Sequence, residues 1–228
     1  LLIEETLCSI PDFVHHIIVV DDASLDQTSV LVQSFDAKPV HLIRHEKNLG
    51  VGRAICSGYK KALELGCGLV AVMAGDAQMD PGDLENLLDP VRTNKIDYAK
   101  GNRMAAPEVR QIMPKVRYIG SRILAWATRI ASGYPNLEDP QCGYTVINER
   151  TLRMLDLDGL YPRYGYPNDL LIQLGLCGAR MEEVPVKPVY GREKSGIKLR
   201  KVIPALMFIL SRGLYRRIAK NILGSKHK

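Results

Sequence analysis

The architecture of this 228-residue chain is set by LVAVMAGDAQMDP, residues 69–81. An apolar run stops abruptly at the polar side chains of Asp76, Gln78 and Asp80, and Pro81 then begins a pattern of leucines at helical spacing. The pattern predicts a buried strand that carries oxygen atoms at its carboxyl end and leads into a helix. In open α/β sheets, the carboxyl end of a strand faces the ligand crevice.

Asp76 and Gln78 are candidate ligands for a divalent cation. They stand two residues apart, and they project to the same side if the backbone stays extended between them. A carboxylate and an amide oxygen suit Mg²⁺ or Mn²⁺, which take waters and substrate phosphates as their remaining ligands. The alternative is a polar strand-to-helix loop in which Asp80 caps the helix that Pro81 begins.

The composition predicts one globular α/β domain, alone or with an appendage. The chain is 46% apolar and 25% charged, which is ordinary for a globular protein. Its five cysteines form no CxxC pair and no cluster with histidine, so we expect reduced thiols in a reducing compartment and no zinc site. The chain starts inside a predicted helix and without a methionine, and we expect further sequence upstream.

The positive charge is concentrated at the C-terminal end. Residues 198–228 hold nine basic residues and no acidic one, whereas residues 1–197 hold 22 basic against 25 acidic residues. We therefore expect no nucleic-acid binding by the body of the protein. The basic and apolar tail suits an interfacial helix on an anionic membrane, or else a basic helix packed on the domain. Its longest apolar run, 202–210, is too short to span a bilayer.

The first half of the chain is predicted to alternate helices and strands. The strands are expected at 17–20, 40–44, 69–73 and 98–100. This order implies a mostly parallel sheet with helices on both faces. The carboxyl ends of its strands share one edge, so the pair Asp21 and Asp22 is expected beside the loop of Asp76. The pair indicates either a ligand site or a capping turn, and the glycines at 50–52 either approach a phosphate or allow close packing.

The second half is predicted to be less regular. The elements expected there are helices at 116–131, 149–155, 168–176 and 202–223 and strands at 144–147 and 180–186. Arg117 and Ser121 lie one turn apart on one helix face. Asp139 lies in a loop, and Asp169 near a helix start is explained equally well as a cap. The polar loop 189–201 either closes over a diphosphate with its cations or is an ordinary solvated loop.

These segments together resemble the catalytic domain of glycosyltransferase family 2, which has the GT-A fold. Within the family they resemble the polyprenyl-phosphate sugar transferases typified by dolichyl-phosphate mannose and glucose synthases. VVDDAS at 19–24 is similar to the family's VVDDGS, and Asn48 opens its NxGxxxA stretch. Asp76 and Gln78 match the second Asp and the Gln of its DxDxQ metal motif, and DPQCGY from Asp139 is similar to its DxQCGF segment.

The resemblance implies roles for residues in both halves. Binding of the nucleotide sugar is implied for Asp21, Asp22, Ser24, Asn48, Arg103, Arg192, Lys194, Ser195 and Lys198. Binding of Mg²⁺ or Mn²⁺ is implied for Asp76 and Gln78. Catalytic roles at the donor diphosphate and the acceptor are implied for Arg117, Ser121, Asp139 and Asp169.

Two departures from the family pattern bear on these roles. The first Asp of the metal motif is Ala74, which removes one carboxylate near the ribose and the metal. We expect metal use to survive through Asp76 and Gln78, in weakened form. The family's first strand, whose Pro-x-x-Asn-Glu end grips the nucleobase, is absent, so the resemblance does not identify the donor.

The implied activity is inverting transfer of a hexose from a UDP- or GDP-sugar to a polyprenyl phosphate. Two alternatives remain: a related transferase with a sugar hydroxyl as acceptor, and a non-catalytic nucleotide-binding module. We expect a catalytic domain at 1–197, with a nucleotide-sugar half to about 104 and an acceptor half beyond it, and an interfacial helix at 198–228. Such a protein would be peripheral at the cytoplasmic face of a membrane.

Overall fold

The computed structural model describes residues 2–36, 38–105, 109, 113, 115–187 and 199–224. The strands are β1 (Ile17–Asp21), β2 (Val40–Arg44), β3 (Leu69–Val72), β4 (Tyr98–Asn102), β5 (Thr145–Asn148) and β6 (Met181–Pro185). The helices are α1 (Leu2–Ser9), α2 (Thr28–Gln33), α3 (Val51–Glu64), α4 (Leu84–Arg92), α5 (Lys115–Ser132), α6 (Glu149–Arg153), α7 (Tyr166–Cys177) and α8 (Leu199–Gly224). Each predicted strand and helix is present within a few residues of its expected bounds.

The strands form two sheets. β1 pairs in parallel with β2, with Ile17 opposite Val40. The second sheet has the order β3-β5-β4-β6, in which β4 and β6 are parallel and β5 is antiparallel to both β3 and β4. The expected mostly parallel α/β fold is therefore confirmed, with β5 as its antiparallel member. Among the described strands none lies between β1 and β3, so the strands that the sequence analysis assigned to one sheet edge belong to two sheets.

Helices cover both faces of the larger sheet. Val146 and Ile147 are adjacent in β5 and both are fully buried. Val146 packs in a cluster with Leu87 of α4, whereas Ile147 packs in a different cluster with Tyr59 of α3 and Leu171 of α7. Successive residues of a strand point to opposite faces, so this sheet is buried on both sides.

Helices α5, α7 and α8 pack against one another beside the sheet. Ala131, Ile172 and Ile209, one from each helix, form the buried cluster at their meeting point. α8 continues through Pro204 and begins earlier than the predicted start at residue 202. Within the described ranges, each helix is too short or too polar to cross a membrane.

Candidate functional site

A cavity of about 790 Å³ lies between β1 and the end of β3. The predicted site residues that line it are Asp21, Asp22, Ser24, Asn48 and Asp76. The carboxyl ends of β1 and β3 therefore meet at one space, as the strand order predicts. Gln78, Arg103 and Asp139 do not line this cavity, and Asp169 lies apart from it in α7.

Asp21 ends β1 as a buried carboxylate, with 3% of its surface exposed. Its Oδ1 accepts a hydrogen bond from the Ser24 backbone amide at 2.8 Å, and its Oδ2 accepts one from the Ser29 hydroxyl. Burial opposes the charged form, but these hydrogen bonds outweigh burial and lower the pKa of Asp21. The carboxylate thus shapes the turn that exposes Ser24 to the cavity, which agrees with a capping turn.

Asp22 organises the neighbouring loop. Its Oδ1 accepts hydrogen bonds from His45 Nδ1 at 2.7 Å and from the Leu49 amide at 2.8 Å, and its Oδ2 accepts one from the Gly50 amide at 2.7 Å. Burial acts against the charged form, yet these donors lower the pKa of Asp22. Asn48 donates to the backbone carbonyl of Asp22 at 3.2 Å. One carboxylate therefore fixes the loop that presents Asn48.

His45 is a site-forming residue that sequence analysis missed. Its other ring nitrogen, Nε2, lies 2.9 Å from the Ser57 hydroxyl of α3. With the Asp22 carboxylate as acceptor at Nδ1, the imidazole carries a proton there and links β1 to α3. The sequence indicates this role only by a histidine directly after β2. Because histidines are common in exposed turns, that position alone does not identify a site residue.

The glycines at 50–52 serve close packing rather than a free phosphate site. A Cβ on Gly52 would lie 2.1 Å from the Tyr161 carbonyl oxygen, and one on Gly50 would lie 2.5 Å from the Pro162 oxygen. The Gly52 amide donates to that Pro162 oxygen at 2.8 Å. This contact joins the start of α3 to the segment that precedes α7.

The predicted metal loop is a tight turn. The Asp76 carboxylate accepts a hydrogen bond from the Gln78 amide at 3.1 Å, and Ala77 between them has a φ of 55°. The condition of an extended backbone is therefore not met, because a left-handed residue separates the two side chains. Asp80 caps the following helical turn through the Gly82 amide at 2.8 Å, as one of the two interpretations predicts.

Of the two predicted metal ligands, Asp76 alone lines the cavity, so a cation at this loop would take much of its coordination from water or from a bound phosphate. In the described part of the chain, His, Cys, Asp and Glu form no cluster of three or more that would hold a metal alone. Gln78 closes the turn through its backbone amide and does not line the cavity. Thr6 of α1, another residue that sequence analysis missed, accepts the Ala77 amide at 3.2 Å and supports the turn.

Arg103 and Asp139 form a bidentate ion pair. Arg103 Nε donates to Asp139 Oδ2 at 2.8 Å and Nη2 donates to Oδ1 at 3.0 Å, while the Arg103 backbone amide lies 3.2 Å from Oδ2. The Asp139 side chain is 5% exposed and that of Arg103 is 33% exposed. Burial would raise the pKa of Asp139, but the hydrogen bonds and charge of Arg103 lower it. Asp139 is therefore a weak proton acceptor in this arrangement.

Lys100 is a buried cation of β4 that sequence analysis did not single out. Its side chain donates to the Cys142 carbonyl oxygen, and the residue is 1% exposed. Burial lowers the pKa of Lys100. A lysine in a strand that helices cover on both sides is the signal that the sequence offered for this role.

Asp169 is paired with the C-terminal helix. Its Oδ1 accepts a hydrogen bond from Arg212 of α8 at 2.7 Å, and its Oδ2 accepts one from the Tyr161 amide at 2.8 Å. Only 1% of the residue is exposed. In this structure the predicted acceptor-facing carboxylate is thus the anchor of α8.

The remaining predicted residues are only partly covered by the structure. Arg117 and Ser121 both lie in α5, and Ser121 is half-buried. The side chain of Arg117 lies outside the described part. The predicted loop residues Arg192, Lys194, Ser195 and Lys198 also lie outside the described residues.

Comparisons with known proteins bear on the family and the fold of the chain. The family model "Glycosyl transferase family 2" matches residues 2–154. UDP-N-acetylglucosamine--dolichyl-phosphate N-acetylglucosaminyltransferase of Methanococcus voltae is 29% identical over 189 residues, covering 77% of this chain and 75% of that protein. Undecaprenyl-phosphate mannosyltransferase of Micrococcus luteus is 32% identical over 177 residues, covering 75% and 70%.

Among solved structures, the chain is similar to glucosyl-3-phosphoglycerate synthase from Mycobacterium tuberculosis in complex with Mn²⁺, UDP-glucose and phosphoglyceric acid. The TM-score is 0.63 at 22% identity, and the alignment covers 92% of this chain and 75% of that chain. At this identity the likeness concerns the fold.

Proposed function

Since the chain belongs to glycosyl transferase family 2, we propose that it moves a hexose, with inversion, from a UDP- or GDP-sugar to a polyprenyl or dolichyl phosphate. Relatives named for transfer to dolichyl phosphate or undecaprenyl phosphate support this acceptor class. The observation that carries the proposal is the cavity between the two sheets. It joins Asp21 and Asp22, the expected nucleotide-binding carboxylates, to Asp76 of the predicted metal loop.

The main electrostatic demand of this reaction is negative charge on the departing nucleoside diphosphate. Arg103 and Arg117 are the proposed sources of positive charge, together with the cations of the loop 192–198. Asp76 and Gln78 would hold Mg²⁺ or Mn²⁺, which when bound neutralises charge on the diphosphate. A neighbour of the same fold is crystallised with Mn²⁺ and UDP-glucose, which supports a divalent cation.

The state of Asp139 favours a phosphate acceptor over a sugar hydroxyl. A hydroxyl needs a base that takes its proton, and a carboxylate of lowered pKa held by Arg103 is poorly suited to that task. A lipid phosphate has a second pKa of about 6 by analogy with phosphoserine, so it is mostly a dianion at neutral pH. The proposed acceptor therefore needs no base from the protein.

An exposed apolar surface supports docking at a membrane. On α8 the exposed fractions are 64% for Met207, 61% for Phe208 and 74% for Tyr215, and on α5 they are 63% for both Ile123 and Trp126. The two helices pack against each other. Aromatic and aliphatic side chains on adjacent amphipathic helices suit the interfacial region of a bilayer.

The basic residues of α8 contribute to this docking less directly than their number suggests. Arg212 pairs with Asp169, Arg217 donates to the Ile130 carbonyl at 2.7 Å, and Lys220 donates to the Leu176 carbonyl. These cations hold α8 to α5 and α7. We therefore propose a peripheral protein at the cytoplasmic face of the membrane that binds chiefly through its apolar surface.

The test is transfer of radiolabelled sugar from UDP-glucose, UDP-N-acetylglucosamine or GDP-mannose to polyprenyl phosphate in vesicles, with Mn²⁺ or with EDTA. We expect one donor to label the lipid, and metal removal or Asp76→Ala to reduce transfer at least about 100-fold. Asp139→Asn should lower the rate about tenfold by loosening the hold on Arg103, without abolishing transfer as the loss of an essential base would. Transfer to a soluble sugar that is lost in Asp139→Asn would establish the hydroxyl acceptor instead. A folded protein that binds none of the donors would be the non-catalytic module.

A further inference from the structure

We propose that Glu183 of β6 is a positioning residue, which holds the loop carrying Asp139 so that the Asp139–Arg103 pair is oriented for transfer. Its two carboxylate oxygens grip consecutive backbone amides of that loop. Oε2 accepts the Glu138 amide at 2.7 Å and Oε1 accepts the Asp139 amide at 2.8 Å. Both bonds are charge-assisted and short, so they constrain the backbone from which the Asp139 side chain extends.

A residue of the neighbouring strand β4 also holds this loop. Lys100 of β4 is directly opposite Glu183 in the parallel register, and it holds the Cys142 carbonyl farther along the same loop. Glu183 takes hold of two amides and Lys100 of one carbonyl, so each end of the segment 138–142 is attached to the sheet. The opposite charges of Lys100 and Glu183 partly compensate each other.

A second carboxylate beside Asp139 is energetically unfavourable, so a specific role for Glu183 is indicated. Burial raises the pKa of Glu183, and the negative charge of Asp139 adds to this effect. A neutral amide in its place would offer one oxygen and would turn its NH₂ group toward the other backbone amide. Only a carboxylate satisfies both amides at once.

Glu183 fixes the backbone of Asp139, and the Asp139 side chain in turn fixes Arg103. The Asp139 carboxylate binds the guanidinium at two points and the Arg103 backbone amide at a third. A shift of the 138–139 backbone therefore moves the guanidinium that we propose for the donor diphosphate. A displacement of about 1 Å in such a group lowers rates by about 100-fold.

The chain supplies a matched control in the adjacent residue. Glu182 is the same residue type in the same strand, but it is exposed and points to the opposite side. Glu183→Gln and Glu182→Gln remove the same charge from β6, and only Glu183→Gln removes the grip on the loop.

The experiment compares the two variants in kcat and KM for transfer, in thermal stability, and in amide hydrogen exchange at Glu138 and Asp139. We expect Glu183→Gln to lower kcat about tenfold or more with little change in KM, and to speed exchange at these two amides. Glu182→Gln is expected to stay within about twofold of the parent in each readout. If Glu183→Gln does not fold, Glu183→Asp takes its place, with the same direction expected.

A double-mutant cycle separates positioning from general stability. In the Asp139→Asn background the Glu183→Gln substitution should add less than about twofold, because its effect passes through Asp139. Equal losses in both backgrounds, or exchange rates that match those of Glu182→Gln, would overturn the inference. The catalytic part rests on the proposed function. If the parent transfers no sugar, the proposed function fails, and the exchange rates alone decide whether Glu183 holds the loop.

Discussion

Several individual carboxylates of this protein are committed to partners within the fold. Asp21, Asp22 and Asp139 all have lowered pKa values because hydrogen bonds and cations outweigh the effect of burial. Each remains charged at neutral pH and holds a turn or an arginine in place. Charge-assisted hydrogen bonds within the fold therefore fix the loops that carry these residues.

Residue type and position in the sequence do not predict which side chains these carboxylates pair with. Sequence patterns identify Arg103 and Asp139 as separate candidates, but they stand 36 residues apart and their ion pair depends on how β4 and the loop before β5 meet. The same holds for Asp169 and Arg212, which are 43 residues apart.

The ion pair of Asp97 with Arg180 predicts how the stability of the protein depends on acidic pH. Hydrogen bonds from Arg180, with only partial opposition by burial, lower its pKa from 3.8 to about 2. Its carboxylate accepts Arg180 Nε at 3.0 Å, Nη2 at 2.9 Å and the backbone amide at 2.9 Å. A depressed folded-state pKa contributes stability above pH 3.8 that is lost as the pH falls toward 2.

We expect Asp97→Asn to lower the free energy of unfolding at pH 7 by about 1–2 kcal/mol. The difference between the variant and the parent should shrink as the pH falls from 4 to 2. Urea unfolding at several pH values measures both. A pH-independent difference would show that packing, rather than the Asp97 charge, is responsible.

At the scale of elements, α8 is attached to the body by polar contacts at three turns as well as by apolar packing. Arg212, Arg217 and Lys220 reach α7, α5 and α7 in succession. The sequence predicted a basic apolar helix here and left open whether it packs on the domain or lies on a membrane. The structure allows both, since one face packs on α5 and α7 while the other is exposed.

Arg212→Met tests the anchoring of this helix. It leaves the Asp169 carboxylate, 2% exposed, with the Tyr161 amide but without its cation. We expect a loss of about 3 kcal/mol in the free energy of unfolding, because an uncompensated buried charge remains. Arg216→Met, at an exposed position of the same helix, is the control and should change stability by less than about 0.5 kcal/mol.

Adding Asp169→Asn should recover part of that loss, since the double variant no longer buries a lone charge. Chemical denaturation of the four proteins of this cycle gives the coupling energy. Additive losses would mean that the ion pair contributes nothing beyond the two separate side chains.

At the scale of the whole molecule, two surfaces have different chemistry. The cavity between the sheets is lined by strand-end carboxylates and loop amides, while α5 and α8 expose apolar side chains. Transfer of a sugar to a lipid phosphate requires a protein that binds a soluble donor and also contacts the membrane. The proposed function therefore draws on both surfaces.

Substitution of both Trp126 and Phe208 by serine tests membrane docking. Each side chain is more than 60% exposed, so its removal leaves the core intact. We expect binding to vesicles of polyprenyl phosphate and anionic phospholipid to weaken at least about tenfold, given roughly 1.5–3 kcal/mol for full burial of such a side chain. Co-sedimentation measures the partition.

Phe13→Ser is the control for this experiment, because Phe13 is a half-exposed aromatic residue outside α5 and α8. It should leave the partition unchanged. An equal loss in Phe13→Ser, or no loss in the double variant, would count against the proposed membrane surface.

The sequence by itself determined the elements, their order and the family, because periodicity, strand-end polar clusters and ordered motifs are properties of local chain segments. It also predicted that Asp21, Asp22 and Asp76 lie near one another, and all three line one cavity. Tertiary structure decided the rest: the separation into two sheets, the turn at Ala77, and the partners of Asp139, Asp169 and Glu183. Those features depend on contacts between groups that are far apart in the sequence, and local sequence patterns do not specify such contacts.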